Sequence, residues 1–341
     1  MYKPLFEITP EVLRLITQAT EIKTWIARAV IDVAWLPALQ RDTTARLAHS
    51  STSIEGNPLT LPEVEALARG EEIGASARAA KEVLNALAAM RWIWEKKPAG
   101  SIQEADLLIL HRRLTQGTIP EEGVGRYKTR PNRIVDGRGR TVYTPPGPAE
   151  AQPMTHKLLQ WLNDPRQNSL HPILLSAIAH HRLVSIHPFS DGNGRISRAL
   201  GIWVLYTRSF DTHHLFALDE YFEEDRARYY QKIQQARDLD GQLTDWLEYV
   251  AGGIVQTLAR TQKRIETLQI QGSGQKVILT KRQEDVLRYM RDHGRVRSSD
   301  LERAFKLTRG RLNQVLKPLV ESGIIQREGQ TRATTYQLGP R

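Results

Sequence analysis

Apolar residues at helical spacing recur along almost the whole 341-residue chain, which confines the fold to a mainly α architecture. From Glu11 to about Ala29 the pattern runs through Leu13, Ile16, Ile22, Trp25 and Ile26. A second helix is predicted from Ala38 to Ser53, stopped by Gly56-Asn57-Pro58, and a third begins near Leu61, where Thr60 and Glu63 have capping-box spacing around Pro62. Ser76–Lys96, with Ser76 as N-cap, and Asp106–Leu114 follow. Residues 123–148 break the pattern. They are rich in Gly, Arg and Pro, and Arg133–Val135 and Thr141–Tyr143 flank a Gly turn as in a β-hairpin. Helical spacing resumes at Ala151–Asn163, His171–Ser185, Ile196–Thr207, Glu220–Arg237 and Leu243–Leu268.

Gln271–Gln275 is short, polar and flexible, and marks a domain boundary. Beyond it lie helical stretches at Lys281–His293, Ser298–Phe305 and Thr308–Ser322, then two strands within Ile324–Leu338 split around Gly329. That order outlines a winged helix-turn-helix over 276–341. The resulting division is 1–100 as an N-terminal helical region, 101–270 as a helical core with the hairpin, and 276–341 as the terminal domain.

The chain carries a net charge of +10, and residues 276–341 hold 15 Lys and Arg against 7 Asp and Glu, so most of the excess lies in the last fifth. Such asymmetry points to a polyanion partner, with a solvated basic face or a protein-docking module as the alternatives. On the third helix of this segment Arg309, Asn313 and Lys317 form one polar stripe at i, i+4, i+8, opposite Leu312, Val315, Leu316 and Leu319. Arg311 is placed to reach a phosphate, and Arg327 and Arg332 fall on the wing, so DNA is the expected partner. Pro318 argues for a kink or an early end of this helix. Cysteine is absent, which excludes disulfides, Cys-ligated zinc and thiol nucleophiles. No apolar run reaches the roughly 18 residues of a membrane helix, and the start MYKPLFEITPEV lacks the form of a signal peptide. A cytoplasmic location with no membrane partner is the expectation.

The chemistry concentrates in His187–Arg198 (HPFSDGNGRISR). Gly192-Asn193-Gly194 makes a poor helix interior but precedes a helical pattern starting near Arg195, so its backbone N–H groups and the helix dipole form an anion site. Arg195 and Arg198 share a face, and two guanidinium groups suit a polyphosphate. Asp191 adds a hard oxygen ligand of the kind that holds Mg2+ against phosphate oxygens. His187 suits a general base near neutral pH. The histidines His180, His181, His213 and His214 raise the alternative of a metal hydrolase, but no metal-binding spacing such as HExxH occurs.

These twelve residues match the Fic signature HxFx[D/E]GNGRxxR at every defined position: His187, Phe189, Asp191, Gly192, Asn193, Gly194, Arg195 and Arg198. The core resemblance covers about residues 40–250. It implies an all-α core and transfer of AMP from ATP to a Ser, Thr or Tyr hydroxyl of a target protein or of the chain itself. His187 would take the hydroxyl proton, and Asp191 would bind Mg2+. Gly192, Asn193 and Gly194 would hold the α- and β-phosphates, Arg195 and Arg198 the β- and γ-phosphates. Ser51–Gly56 resembles the family's inhibitory pattern [S/T]xxxE[G/N], on a helix near 44–56 with Ser51, Glu55 and Gly56 at the defined positions. Glu55 would pair with Arg198 and keep the γ-phosphate from its productive place. Arg133, Ile134 and Val135 would be the flap strand that aligns the target backbone. Tyr229 and Tyr230 resemble a pair on the adenine side, although Arg237 stands where some relatives have Asn. Some relatives dimerise near the inhibitory segment, so a homodimer is a further expectation. The rival readings are an ATP-sensing DNA-binding regulator, another nucleotide donor, and an enzyme that also removes AMP.

Overall fold

Recurrent apolar spacing produces α1 (Pro10–Arg28), α2 (Leu36–Ser53), α3 (Leu61–Ala68), α4 (Ala77–Glu95) and α5 (Glu104–Thr115). Their starts follow capping chemistry. The Thr60 N–H donates to Glu63 Oε2 at 2.8 Å, and the Ser76 hydroxyl accepts from Ala79 N–H at 3.2 Å. The computed structural model describes residues 2–29, 36–96, 100–210, 212–271, 280–321, 323–329 and 334–338.

After α5 the chain forms the hairpin β1 (Ile134–Val135) and β2 (Thr141–Tyr143), antiparallel with an irregularity between Ile134 and Val135. Asp136 closes the turn by accepting from Arg138 and Arg140 N–H, each at 2.9 Å, and Gly139 takes a φ of 76°. Arg133 precedes the paired strand. Next come α6 (Pro148–Asn163), α7 (Pro172–Ile186), α8 (Asn193–Thr207), α9 (Leu218–Glu224), α10 (Arg226–Asp238) and α11 (Thr244–Gln271). The single helix predicted over 220–237 is two helices. Asp225 leaves helical geometry at φ −133°, ψ 70°, and its carboxylate accepts from Arg228 N–H, so one acidic residue caps a new helix inside an unbroken apolar pattern. No helix among the described residues is long and apolar enough to cross a membrane.

The chain divides into two compact units, residues 1–27 with 42–261, and residues 28–41 with 262–341. In the first, α7 and α8 pack along one another, and α7 is buried on nearly every side. Trp203, Phe222, Tyr229 and Trp246 fill the interior around them. Burying a large apolar side chain contributes about 1.5–3 kcal/mol each, which stabilises the packing around these two helices.

The second unit contains α12 (Lys281–His293), β3 (Val296–Arg297), α13 (Ser298–Phe305), α14 (Arg309–Glu321), β4 (Ile325–Glu328) and β5 (Thr335–Leu338). The strands form one antiparallel sheet in the order β3-β5-β4. Its core includes Val286, Met290, Leu301, Leu312, Leu316, Leu319 and Tyr336. Strand β3 is too short to carry a periodic signal. Helix α14 runs through Pro318 to Glu321, since three buried leucines hold its apolar side. The boundary predicted at 271–275 falls, beyond Gln271, outside the described residues.

Candidate functional site

Helix α7 ends at His187, whose φ of 52° and ψ of 56° are left-handed, a conformation that costs a non-glycine residue about 1–2 kcal/mol. Its N–H still donates to the Leu183 carbonyl at 3.0 Å. His187 Nδ1 lies 3.3 Å from the Val184 carbonyl. A carbonyl only accepts, so Nδ1 carries the proton and Nε2 is left as the basic nitrogen. Burial is the chief reason its pKa falls to about 4, with Arg237 and Lys128 adding to the drop and the Val184 bond and Glu55 opposing it. The imidazole is therefore neutral at pH 7.

The loop after His187 is tied from several sides. Phe189 N–H donates to Asn193 Oδ1 at 2.9 Å, while Asn193 Nδ2 donates to the Phe189 carbonyl at 2.8 Å. The Phe189 ring is fully buried and stacks on His111, centroid to centroid 3.8 Å. His111 accepts at Nδ1 from Gly125 N–H and donates from Nε2 to the Asp191 carbonyl, both at 3.0 Å. Burial lowers the His111 pKa to about 4, keeping it neutral in this bridging role. Gly192 has a φ of 76°, and a Cβ there would lie 2.7 Å from Thr115 Cγ2. Only glycine fits this corner. Helix α8 begins at Asn193, two residues before the expected start, because Gly192 makes the sharp turn and leaves Asn193 and Gly194 in the first helical turn.

The first turn of α8 thus presents unpaired backbone donors, with buried cations behind it. Arg195 Nη2 sits 3.6 Å from Asp191 Oδ1, and its Nε and Nη1 are buried without a protein partner. Arg198 is fully buried. Its Nε donates to Ser51 Oγ at 3.1 Å, and its Nη2 donates to the Ser51 carbonyl and to Glu55 Oε1, both at 2.8 Å. A second carboxylate, Asp219, places Oδ2 3.5 Å from Arg198 Nε. Burial raises the Asp219 pKa against the pull of Arg198. Glu55 also leans over the turn, where a methyl group at Gly194 would collide with its carboxylate. A protein carboxylate therefore stands where an external anion would meet Arg198 and α8. Gly56, at φ 92°, ends this segment.

Among the described residues no cluster of three or more metal-ligating side chains occurs. Asp191, with a half-exposed carboxylate at the mouth of the turn, is one hard ligand of the sort that holds Mg2+ together with phosphate oxygens. The orphaned Arg195 donors beside it fit a polyphosphate better than a metal alone.

Tyr229 is fully buried, with its hydroxyl 2.9 Å from His180 Nε2 and 3.5 Å from Arg198 Nη1, whereas Tyr230 is exposed and donates to the Ile54 carbonyl at 3.3 Å. Ile134 and Val135 lie on β1, and the Tyr143 hydroxyl on β2 donates to the Ser185 carbonyl at 3.0 Å, two residues before His187. Arg309, Arg311, Asn313 and Lys317 are exposed on α14 and Arg327 on β4, all in the second unit, while Arg332 lies outside the described residues. His111, Asp219 and Lys128 carry no local motif, and only their distant partners reveal them.

The family model described as Fic/DOC family matches residues 101–205. The chain is 32% identical over 221 residues to protein adenylyltransferase fic-1 of Caenorhabditis elegans, covering 63% of this chain and 41% of the relative. It is 31% identical over 217 residues to protein adenylyltransferase Fic of Drosophila mojavensis, covering 62% and 39%. It thus spans about two fifths of the length of these relatives. A crystal structure of a Fic family protein from Desulfovibrio desulfuricans G20 superposes with a TM-score of 0.69 at 25% identity, covering 100% of this chain and 99% of that one. Residues 134–508 of the Caenorhabditis elegans fic-1 protein superpose with a TM-score of 0.64 at 28% identity, covering 75% and 73%. Residues 101–205 are thus similar to the Fic/DOC family, and solved Fic proteins share the fold around them.

Proposed function

We propose that the chain transfers AMP from ATP to a Ser, Thr or Tyr hydroxyl of a protein, its own or another's, and that Glu55 restrains the reaction. The observation that carries this reading is the 2.8 Å contact of Glu55 with the fully buried Arg198, made over the first turn of α8. An anion site that already holds an internal anion is built for a removable competitor. With Glu55 displaced, the backbone donors of Gly192, Asn193 and Gly194 bind the α- and β-phosphates, and Arg195 and Arg198 bind the β- and γ-phosphates. Asp191 holds Mg2+, which would neutralise phosphate charge. The hairpin residues Arg133, Ile134 and Val135 align the target backbone, and Tyr230 offers an exposed ring toward the base.

His187 Nε2 takes the proton from the target hydroxyl as its oxygen bonds to the α-phosphorus, and the bond to the bridging β-phosphate oxygen breaks to release pyrophosphate. The neutral ring and the fixed Nδ1 proton make Nε2 available for this.

Wild type, Glu55→Gly and His187→Ala/Glu55→Gly are incubated with ATP, Mg2+ and cell lysate, and AMP additions are read by intact and peptide mass spectrometry. Addition that grows with Glu55→Gly and vanishes without His187 supports the proposal. No addition from any form rejects it and favours another donor or an ATP-sensing regulator.

We further infer that residues 276–341 are a winged helix that binds duplex DNA. The exposed row Arg309, Arg311, Asn313 and Lys317 on α14, with Arg327 on β4, supports this, and Arg332 is assigned to the same wing on sequence alone. Duplex affinity should fall steeply with salt and be lost on deleting 272–341. Binding indifferent to the deletion removes the DNA assignment.

A further inference from the structure

We propose that Arg237 is a positioning residue for the transfer, locking the flap hairpin and the base His187 to the last turn of α7 through one guanidinium group. This rests on the reading of His187 as base, but the contacts of Arg237 itself are ones that reading does not use. Arg237 projects from α10 and is largely enclosed. Its Nη2 donates to the Val184 carbonyl at 3.0 Å, and its Nε donates to Ser185 Oγ at 3.1 Å. The guanidinium carbon lies 3.9 Å from the centre of the Tyr143 ring, on strand β2. Tyr143 in turn donates to the Ser185 carbonyl. The Val184 carbonyl is the same one that accepts from His187 Nδ1.

One carbonyl oxygen has two lone pairs, and here each is taken: one by the base, one by Arg237. The flap side chain that rests on Arg237 also bonds the next residue of α7. Base tautomer, base orientation and flap height are therefore set by the same four groups. A lysine at 237 would keep the charge but lose the planar fork and the stacked face. Burial pushes the Arg237 pKa down to about 10. A cation kept where its charge is disfavoured is consistent with a role in what it touches. The groups that face His187 are Arg237 and Lys128, which disfavour the imidazolium, and Glu55 and the Val184 carbonyl, which favour it. Removing the Arg237 cation thus raises the proton affinity of His187.

Arg237→Met, Arg237→Lys and Tyr143→Leu are made in the full chain, alone and with Glu55→Gly. On the protein alone, 15N-histidine spectra follow the His187 ring, assigned by its loss in His187→Ala. The wild type should show Nδ1 protonated and Nε2 bare. Arg237→Met should mix the tautomers and raise the ring's proton affinity at least tenfold, with Arg237→Lys between. In the Glu55→Gly background, kcat for AMP transfer should fall at least tenfold in Arg237→Met and in Tyr143→Leu, with ATP affinity changed less than twofold. The two losses should not multiply when the substitutions are combined, because they break one linkage. An unchanged His187 tautomer and affinity overturns the proposal. So does a loss in Arg237→Met that lies wholly in ATP affinity, which would make Arg237 a nucleotide contact. If Glu55→Gly transfers no AMP, the proposed function fails, while the histidine spectra still decide the role of Arg237.

Discussion

Replacing Glu55 by Gly should tighten ATP binding about tenfold and raise transfer by at least that factor. The magnitude follows from what Arg198 loses and what it keeps. Glu55 supplies a 2.8 Å bond to Nη2, and bonds to charged groups contribute about 1.5–3 kcal/mol. The Glu55 side chain is 34% exposed, so water competes for its carboxylate and the lower end of that range applies. About 1.5 kcal/mol corresponds to roughly a tenfold change in an equilibrium constant. Arg198 is not left as a bare buried charge, since Asp219 and both polar atoms of Ser51 remain beside it. The folded state should therefore lose little stability. The same substitution removes the carboxylate that leans over Gly194, so the backbone donors of α8 are uncovered as well. ATP affinity is measured by calorimetry with Mg2+, and initial transfer by intact mass. Glu55→Gln, which keeps the volume but not the charge, should give a smaller gain. Equal affinities and rates in all three proteins would refute the view of Glu55 as a competitor for Arg198.

Three further outcomes are expected. In the Glu55→Gly background, Asp219→Asn should cost about 3–5 kcal/mol in urea unfolding, because Arg198 then has no buried counter-ion; in wild type the cost should be clearly smaller, and equal costs would deny the sharing of one cation. Stability should fall on acidification: burial holds His111, His181 and His187 near pKa 4 against about 6.5 unfolded, so the unfolded chain takes up protons first and stability present above pH 6.5 drains away toward pH 4. At pH 5 the loss is about 2 kcal/mol per histidine, and a thermal midpoint unchanged between pH 7.5 and 5 would contradict it. Gly192→Ala should destabilise by about 2 kcal/mol or more, through its positive φ and its clash with Thr115, and should abolish ATP binding; calorimetry and urea unfolding test both.

Helix positions were legible because amphipathic spacing is a local property. Lys281–His293 and Ser298–Phe305 appear with the bounds their spacing predicts. Breaks made by a single capping side chain were not, as at Asp225, where one carboxylate outweighs a continuous apolar pattern. Strand β3, two residues long, offers no periodicity to read and exists through its pairing with β5.

For the site, the sequence alone determined the glycine turn, the two arginines of α8, and the histidine and aspartate before them, since twelve consecutive residues carry that chemistry wherever the rest of the chain goes. What surrounds them comes from packing between distant segments. Glu55, which the resemblance but not the spacing names as a partner, reaches Arg198 across 143 residues, His111 reaches Asp191 across 80 and Arg237 reaches Val184 across 53, and Asp219 comes from a helix with no motif of its own. The physical reason is that a buried charge or a bare carbonyl takes whichever partner packing brings within about 3 Å, and sequence spacing says nothing about contacts that the fold alone brings together.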